Sequence, residues 1–480
     1  MDTPSRPQRA RTKIIATVGP ACRTLEKMVE LVDAGVDVFR LNMAHATRDE
    51  HAQTLSMIRQ TSRELRRPIG VLVDLAGPKI RLGQLAGDAI ACDLGAEFRM
   101  VRGDRARGPG ELVTSYPPLV DELHVGDTVM LADGTVSMKV VEKSADAARC
   151  QVVQGGTIRS RQGLNLPGVK LSAPSLNDDD RQNAAWAADN GIDFVGLSFV
   201  RQPSDVRQLK DLLRSRKSAA RVVAKIEKPE ALDRLDAIVT EADCLMVARG
   251  DLGVEIDVAR MPVVQKRIVA TCLERQKPVI IATQMLDSMQ HSPRPTRAEV
   301  TDVANAILDG GDACMLSGET AIGKYPREAV EMMNRVALAT EELLRDNVPR
   351  PPGKRGSEGL NPVTAAIVYG AGHIAREIGA RLVVVASHSG ATALALSKQR
   401  TYVPTVGISD SESTLRQMSM YWGVIPLLDV AAESSEAMFD AVSDWGREAG
   451  ILAAGDYVVL IAGRGLDFGS HNHVMVHRVG

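Results

Sequence analysis

Short apolar runs rich in β-branched residues recur along the chain, and each stops abruptly on a charged or turn-forming residue. The first three occupy residues 12–18, 37–42 and 69–74. Between the first two, Leu25, Met28, Val29, Leu31 and Val32 fall on one face of a helix. Strand, helix and strand in this rhythm predict a parallel sheet. The rhythm breaks between residues 82 and 171, where alternating runs at 128–131 and 136–141 are set off by the turn pairs Gly126-Asp127 and Asp133-Gly134. It resumes after Ser172 with runs at 193–199, 221–226, 243–248, 278–283 and 312–317. Eight parallel strands alternating with helices specify a closed (β/α)8 TIM barrel.

The pattern divides an α/β chain into three parts. Residues 1–81 and 172–346 form the barrel; residues 82–171 are an inserted small β-barrel lid domain; residues 347–480 form a C-terminal α/β domain. The insertion begins and ends beside the third strand's loop, so it hangs over the barrel mouth as a mobile cap that excludes water. A Pro/Gly/Arg-bearing linker at 347–359 leads to a helix at 363–378 and strands at 381–386, 404–408, 423–427 and 457–462.

Composition narrows the function classes. The 480 residues carry 58 basic and 60 acidic side chains, a net charge of -2, which leaves no basic stripe for nucleic acid and no polybasic patch for a membrane. Small molecules are the expected partners. The six cysteines (22, 92, 150, 244, 272 and 314) are scattered without a C-x-x-C pair, as in a reducing cytoplasm. Residues 1–11 have no apolar stretch, and no run of eighteen apolar residues occurs, so a soluble, cytoplasmic protein is expected.

Side chains at the C-terminal ends of barrel strands converge on one mouth. That rule gathers Arg40, Asn42, Asp74, Lys79, Arg81, Lys225, Glu227, Asp251, Thr283 and Ser317. Four cations among three carboxylates suit a phosphorylated acid and a divalent metal, with Lys225, Glu227 and Asp251 sharing both. A surface ion-pair network is the bland alternative. Asp133 is either a turn former or part of a lid closing over substrate. Ser387, Ser389, Gly390 and Thr392 open a helix as a phosphate cradle would, or as an ordinary capped helix does. The spacing from Gly370 to Gly372 imitates a dinucleotide fingerprint but falls inside a helical pattern. His471, His473 and His477 share one face if the C-terminus is a strand, without a carboxylate or cysteine beside them.

Seven of these stretches together resemble the signatures of pyruvate kinases. They are TKIIATVGP at 12–20, RLNMAH at 40–45, KIE at 225–227, MVARGDLGVE at 246–255, ATQML at 282–286, RPTRAE at 294–299 and MLSGET at 315–320. NLPG at 165–168 and YWGV at 421–424 are also similar, so the likeness spans nearly the whole chain. The resemblance implies phosphoryl transfer from phosphoenolpyruvate to ADP, giving ATP and pyruvate, the last step of glycolysis. It implies that Glu227 and Asp251 hold Mg²⁺ or Mn²⁺, and that Gly250 and Asp251 offer backbone N–H groups to the substrate carboxylate. Lys225 would offset charge on the phosphoryl in flight, and Arg40 and Arg81 would bracket phosphate oxygens. Asn42, His45, Arg81 and Asp133 would lie towards the nucleotide, and Thr283 would end a proton relay. Family members that need K⁺ bind it with an Asn, a Ser, an Asp and a Thr, with a Glu nearby. The matching positions here are Asn42, Ala44, Asp74, Leu75 and Lys79. Two hydroxyl ligands are absent and an ammonium is present, which resembles the potassium-independent branch, with Lys79 pairing with Asp74 in place of the ion. The family implies a homotetramer, and the cradle composition of residues 387–392 predicts a phosphorylated activator there. Three other functions compete: a metal-dependent barrel aldolase, a silent effector-binding paralogue and a structural assembly protein.

Overall fold

The structure is a computed structural model that describes residues 8–87, 89–132, 134–346, 360–430, 435–462 and 472–480. The expected linker at 347–359, Asp133 and His471 lie outside the described residues.

Eight parallel strands close into a barrel: Lys13–Thr17, Val38–Asn42, Gly70–Asp74, Phe194–Leu197, Arg221–Ile226, Cys244–Ala248, Val279–Ala282 and Ala313–Leu316. Lys13 pairs with Ala313 to seal the ring. Nearly every strand residue is buried, as expected where helices cover the outside and side chains fill the inside. Arg221–Ile226 matches its apolar run, and the other seven strands are one to three residues shorter than theirs.

Those polar ends follow a rule at the N-terminal rim. Asp37, Asp193, Asp243 and Asp312 immediately precede the second, fourth, sixth and eighth strands. Each carboxylate accepts a backbone N–H from the strand before it: Ile14 at 3.0 Å, Val71 at 2.9 Å, Val222 at 2.9 Å and Val279 at 2.8 Å. Donors at a rim with no further strand partner are thereby satisfied. Each carboxylate also meets a cation. For Asp193 one of these is Arg416 at 2.8 Å, and for Asp312 they are Lys398 at 2.6 Å and Arg400 at 3.0 Å. All three come from the C-terminal part of the chain, which therefore docks on the rim opposite the mouth.

That part is a five-stranded sheet in the order Val424–Pro426, Thr405–Ile408, Leu382–Ala386, Tyr457–Ala462, His473–Arg478, the last strand antiparallel. Gly370 and Gly372 lie within the helix Pro362–Glu377, so they form no strand-to-helix phosphate turn. His477 stacks on Phe439 with ring centroids 4.6 Å apart, and His473 is exposed.

The inserted part packs around its own core, including Phe98, Leu131, Met138 and Cys150. It is a curled half barrel rather than a closed one. A six-stranded sheet stands beside a two-stranded ribbon of Ala89–Cys92 and Gly156–Arg159. The predicted run at 136–141 extends to the strand Val136–Lys143. Among the described residues, no helix is long and apolar enough to cross a membrane.

Candidate active site

Three adjacent strand ends build the centre of the mouth. Asp74 closes the third strand and is buried, and its Oδ2 accepts from Arg40 Nε at 2.8 Å and Nη2 at 2.6 Å. Arg40 Nη1 also donates to Thr17 Oγ1 at 3.1 Å, so the second strand's arginine is held from the first and the third. Lys225 lies one residue inside the end of the fifth strand. Its Nζ is 3.1 Å from Asp74 Oδ1 and 2.8 Å from Glu227 Oε1, and it donates to Ser198 Oγ at 2.7 Å. The other oxygen of Glu227 accepts the Phe199 N–H at 2.8 Å.

These charges are unequally compensated. Burial works against the Lys225 ammonium, but Asp74 and Glu227 outweigh it and hold its pKa above the ordinary value. Burial also pushes Asp74 up, yet Lys225 and Arg40 together keep it below the usual carboxylate range. For Glu227 burial prevails, and its pKa is raised despite Lys225. Asp74 Oδ1 and Glu227 Oε1 are buried, and the ion pairs to Lys225 compensate them. Among the described residues Lys225 is the one cation paired with Glu227, a single positive charge shared with Asp74. Asp251, half-buried on the helix Arg249–Glu255, is near enough for its charge to act on both Lys225 and Glu227. Among the described residues no three His, Cys, Asp or Glu side chains cluster as a metal cage. Two carboxylates and an open side fit Mg²⁺, which keeps waters and takes substrate phosphate oxygens as ligands.

The opposite wall is strained. Thr283 has φ 70° and Gln284 φ 55°, a left-handed turn that a β-branched residue adopts only under constraint. The constraint is visible. Arg249 Nη2 donates to the Thr283 carbonyl at 2.7 Å, the Gly250 N–H donates to Thr283 Oγ1 at 2.7 Å, and that hydroxyl donates to the Ala282 carbonyl at 2.6 Å. Thr283 is therefore fixed beside Gly250 and Asp251.

The remaining expected residues are spread more widely. Asn42 Oδ1 accepts the Ala44 N–H at 3.2 Å, and His45 is exposed at the rim. Arg81 sits at the base of the insertion, where Nη1 donates to the Arg161 carbonyl at 3.2 Å. Ser317 donates its N–H to Glu319 at 2.7 Å and does not join the lysine cluster. The expected pair between Asp74 and Lys79 is not made. Arg40 and Lys225, from neighbouring strands, already occupy Asp74, whereas Lys79 lies beyond the left-handed Gly77 turn, exposed and close to Gly163. At the far end of the barrel, Ser387 and Thr392 are buried, Gly390 has φ 75°, and the Ser389 carbonyl accepts from Arg221 Nη2 at 3.2 Å. Arg221 begins the strand that carries Lys225. Sequence reasoning missed Ser198 and Phe199, although a serine closing the apolar run FVGL obeys the rule that found Lys225.

Comparison with known proteins agrees with this geometry. The family description "Pyruvate kinase, barrel domain" matches residues 9–330, and "Pyruvate kinase, alpha/beta domain" matches residues 365–477. The chain is 38% identical over 475 residues to a pyruvate kinase of Geobacillus stearothermophilus, covering 98% of this chain and 80% of that protein. It is 41% identical over 461 residues to pyruvate kinase 2 of a Synechocystis species, covering 95% and 77%. A crystal structure of a pyruvate kinase from Cryptosporidium parvum superposes with a TM-score of 0.89 at 33% identity, over 98% of this chain and 96% of that one. With the barrel, the insertion, the C-terminal sheet and the acid–lysine cluster all in place, the chain belongs to the pyruvate kinase family.

Proposed function

We propose that the mouth transfers a phosphoryl group from phosphoenolpyruvate to ADP, and that Lys225 stabilises it in flight. The bond from the enol oxygen to phosphorus breaks as a terminal oxygen of ADP bonds to that phosphorus. The enolate then takes a proton at its methylene carbon and becomes pyruvate. The observation that carries this reading is a buried ammonium held by Asp74, Glu227 and Ser198 at the meeting point of three strand ends. Phosphoryl transfer needs positioning and positive charge more than covalent help from the protein.

Glu227 and Asp251 would hold Mg²⁺ or Mn²⁺, which when bound supplies charge neutralisation between substrate carboxylate and phosphate. Arg40 is pre-oriented by Asp74 and Thr17 to meet phosphate oxygens, and the backbone N–H groups of Asp251 and of Gly250, the latter turning from Thr283 Oγ1, would bind the substrate carboxylate. Thr283 Oγ1, fixed next to Gly250, would end a proton relay to the enolate. Arg81, Asn42, His45 and Asp133 are assigned to the nucleotide side, where the insertion at 82–171 closes over the barrel mouth. Lys79 replaces a monovalent cation, reaching inward as the insertion closes; exposed Ala44 and buried Leu75 provide no side-chain oxygens for K⁺.

The loop of Ser387, Ser389, Gly390 and Thr392 would bind a phosphorylated activator. Its tie to Arg221 supports a route to the strand bearing Lys225. The assembly is assigned as a homotetramer in a reducing cytoplasm, consistent with the six free, buried cysteines. An assay coupling pyruvate to NADH oxidation, with ATP counted separately, tests the central reading. Equal yields of ATP and pyruvate are expected, dependent on phosphoenolpyruvate, ADP and Mg²⁺. Pyruvate released without ATP would refute it.

A further inference from the structure

The hydroxyl of Ser198 has no assigned part in the reaction, yet it occupies the one direction from Lys225 that no carboxylate fills. An ammonium has three donors. Two face Asp74 and Glu227 in ion pairs at 3.1 and 2.8 Å, and Ser198 Oγ receives the third at 2.7 Å. The serine proton is committed elsewhere, because Oγ donates to the Leu75 carbonyl at 2.8 Å. A lone pair must therefore face the lysine. Ser198 is 2% exposed, so its hydroxyl is held between these two partners.

The surrounding backbone is shaped to this arrangement. Phe199, the next residue, has φ 54° and sends its N–H to Glu227, so consecutive residues orient both the lysine and its glutamate. Gly77, with φ 70°, lies against them: a Cβ there would come within 2.6 Å of Phe199 Cδ2 and 2.8 Å of Ser198 Cβ. Its N–H donates to Asp180 at 3.3 Å and its carbonyl accepts from Asn177 at 3.2 Å. The segment 75–77 leading into the insertion is thus anchored on Ser198 on one side and on the start of the helix Asp178–Asp189 on the other.

We propose that Ser198 is a positioning residue for phosphoryl transfer: it sets the direction of the Lys225 ammonium and ties it to the Leu75 carbonyl at the root of the insertion. It acts through Lys225 and does not itself touch the reacting atoms. A misplacement of the order of 1 Å at such a centre costs about 100-fold in rate. Ser198→Ala should therefore lower kcat about 10- to 100-fold while KM for phosphoenolpyruvate and ADP stays within about threefold.

The decisive measurement is the same substitution in a Lys225→Met enzyme, with steady-state kinetics in saturating Mg²⁺ and thermal unfolding of all four proteins. If Ser198 works through the ammonium, Ser198→Ala should change the residual rate of the Lys225→Met enzyme less than about twofold. An equal loss in both backgrounds, or no loss in the first, overturns the proposal. If Ser198→Ala does not fold, Ser198→Cys keeps a weak acceptor in the same space and carries the same comparison.

Discussion

Lys225 concentrates the chemistry because two buried carboxylates share it, and their attraction outweighs its own burial. Lys225→Met should lower kcat by about 10³-fold or more, since the charge is needed most in the transition state. Steady-state rates at saturating Mg²⁺ check this; near-normal turnover would remove Lys225 from the mechanism. Asp251→Asn halves the pair of carboxylates open to the metal. Its expected signature is a Mg²⁺ requirement raised about tenfold or more, read from a Mg²⁺ titration, with catalysis largely restored at high Mg²⁺. Lys225, Glu227 and Asp251 were legible because charge immediately after a buried apolar run is costly unless it lines a site. Ser198 was not, since a hydroxyl can end any strand at little cost.

At the scale of elements, the loop after the third strand is the part most dependent on its surroundings. Asp180, fully buried in the first turn of the helix Asp178–Asp189, accepts the Gly77 N–H, and burial pushes its carboxyl up to about 6. A folded pKa above the unfolded one means that the native state binds the extra proton. Its stabilising contribution is then full below about pH 4 and is lost as pH rises through about 6. Asp180→Asn, permanently neutral, should gain in melting temperature relative to the unmodified protein between pH 4.5 and pH 7 (roughly the window set by these pKa values). A difference independent of pH would show that Asp180 is not the group responsible. Gly77→Ala meets both a left-handed φ and a 2.6 Å approach to Phe199. It should cost about 1–3 kcal/mol, visible in denaturant unfolding. The strand positions were readable from the apolar runs, but the left-handed turns at Phe199 and Thr283 were not, because neither residue type announces a positive φ.

For the whole molecule, Asp312 joins the barrel to the C-terminal sheet by accepting the Val279 N–H and pairing with Lys398 and Arg400. Asp312→Ala leaves Lys398 buried without its carboxylate, a loss of about 3–5 kcal/mol, and calorimetry should show a lower or split transition. The proposed monovalent-cation replacement is also a property of the whole assembly, because Lys79 must come inward with the insertion. Full turnover is expected in K⁺-free buffer containing Mg²⁺, with Lys79→Glu strongly impaired; a large K⁺-specific activation of the unmodified enzyme would exclude the replacement.

What the sequence by itself determined was the set of strands, their common rim and most of the charged residues placed there. Alternation, burial and abrupt polar ends are local properties, and eight such ends in parallel have one mouth to share. Only the tertiary structure decided the partners. Asp74 is taken by Arg40 and Lys225 rather than by Lys79, because pairing across strands depends on register and on the turn at Gly77. Four aspartates at the opposite rim looked like ordinary strand starts, and became clamps only when the neighbouring strand and, at Asp193 and Asp312, the C-terminal cations were brought to them. A side chain's identity is written locally, but the group that satisfies its charge is chosen by packing, where an unpaired buried ion is too costly to remain.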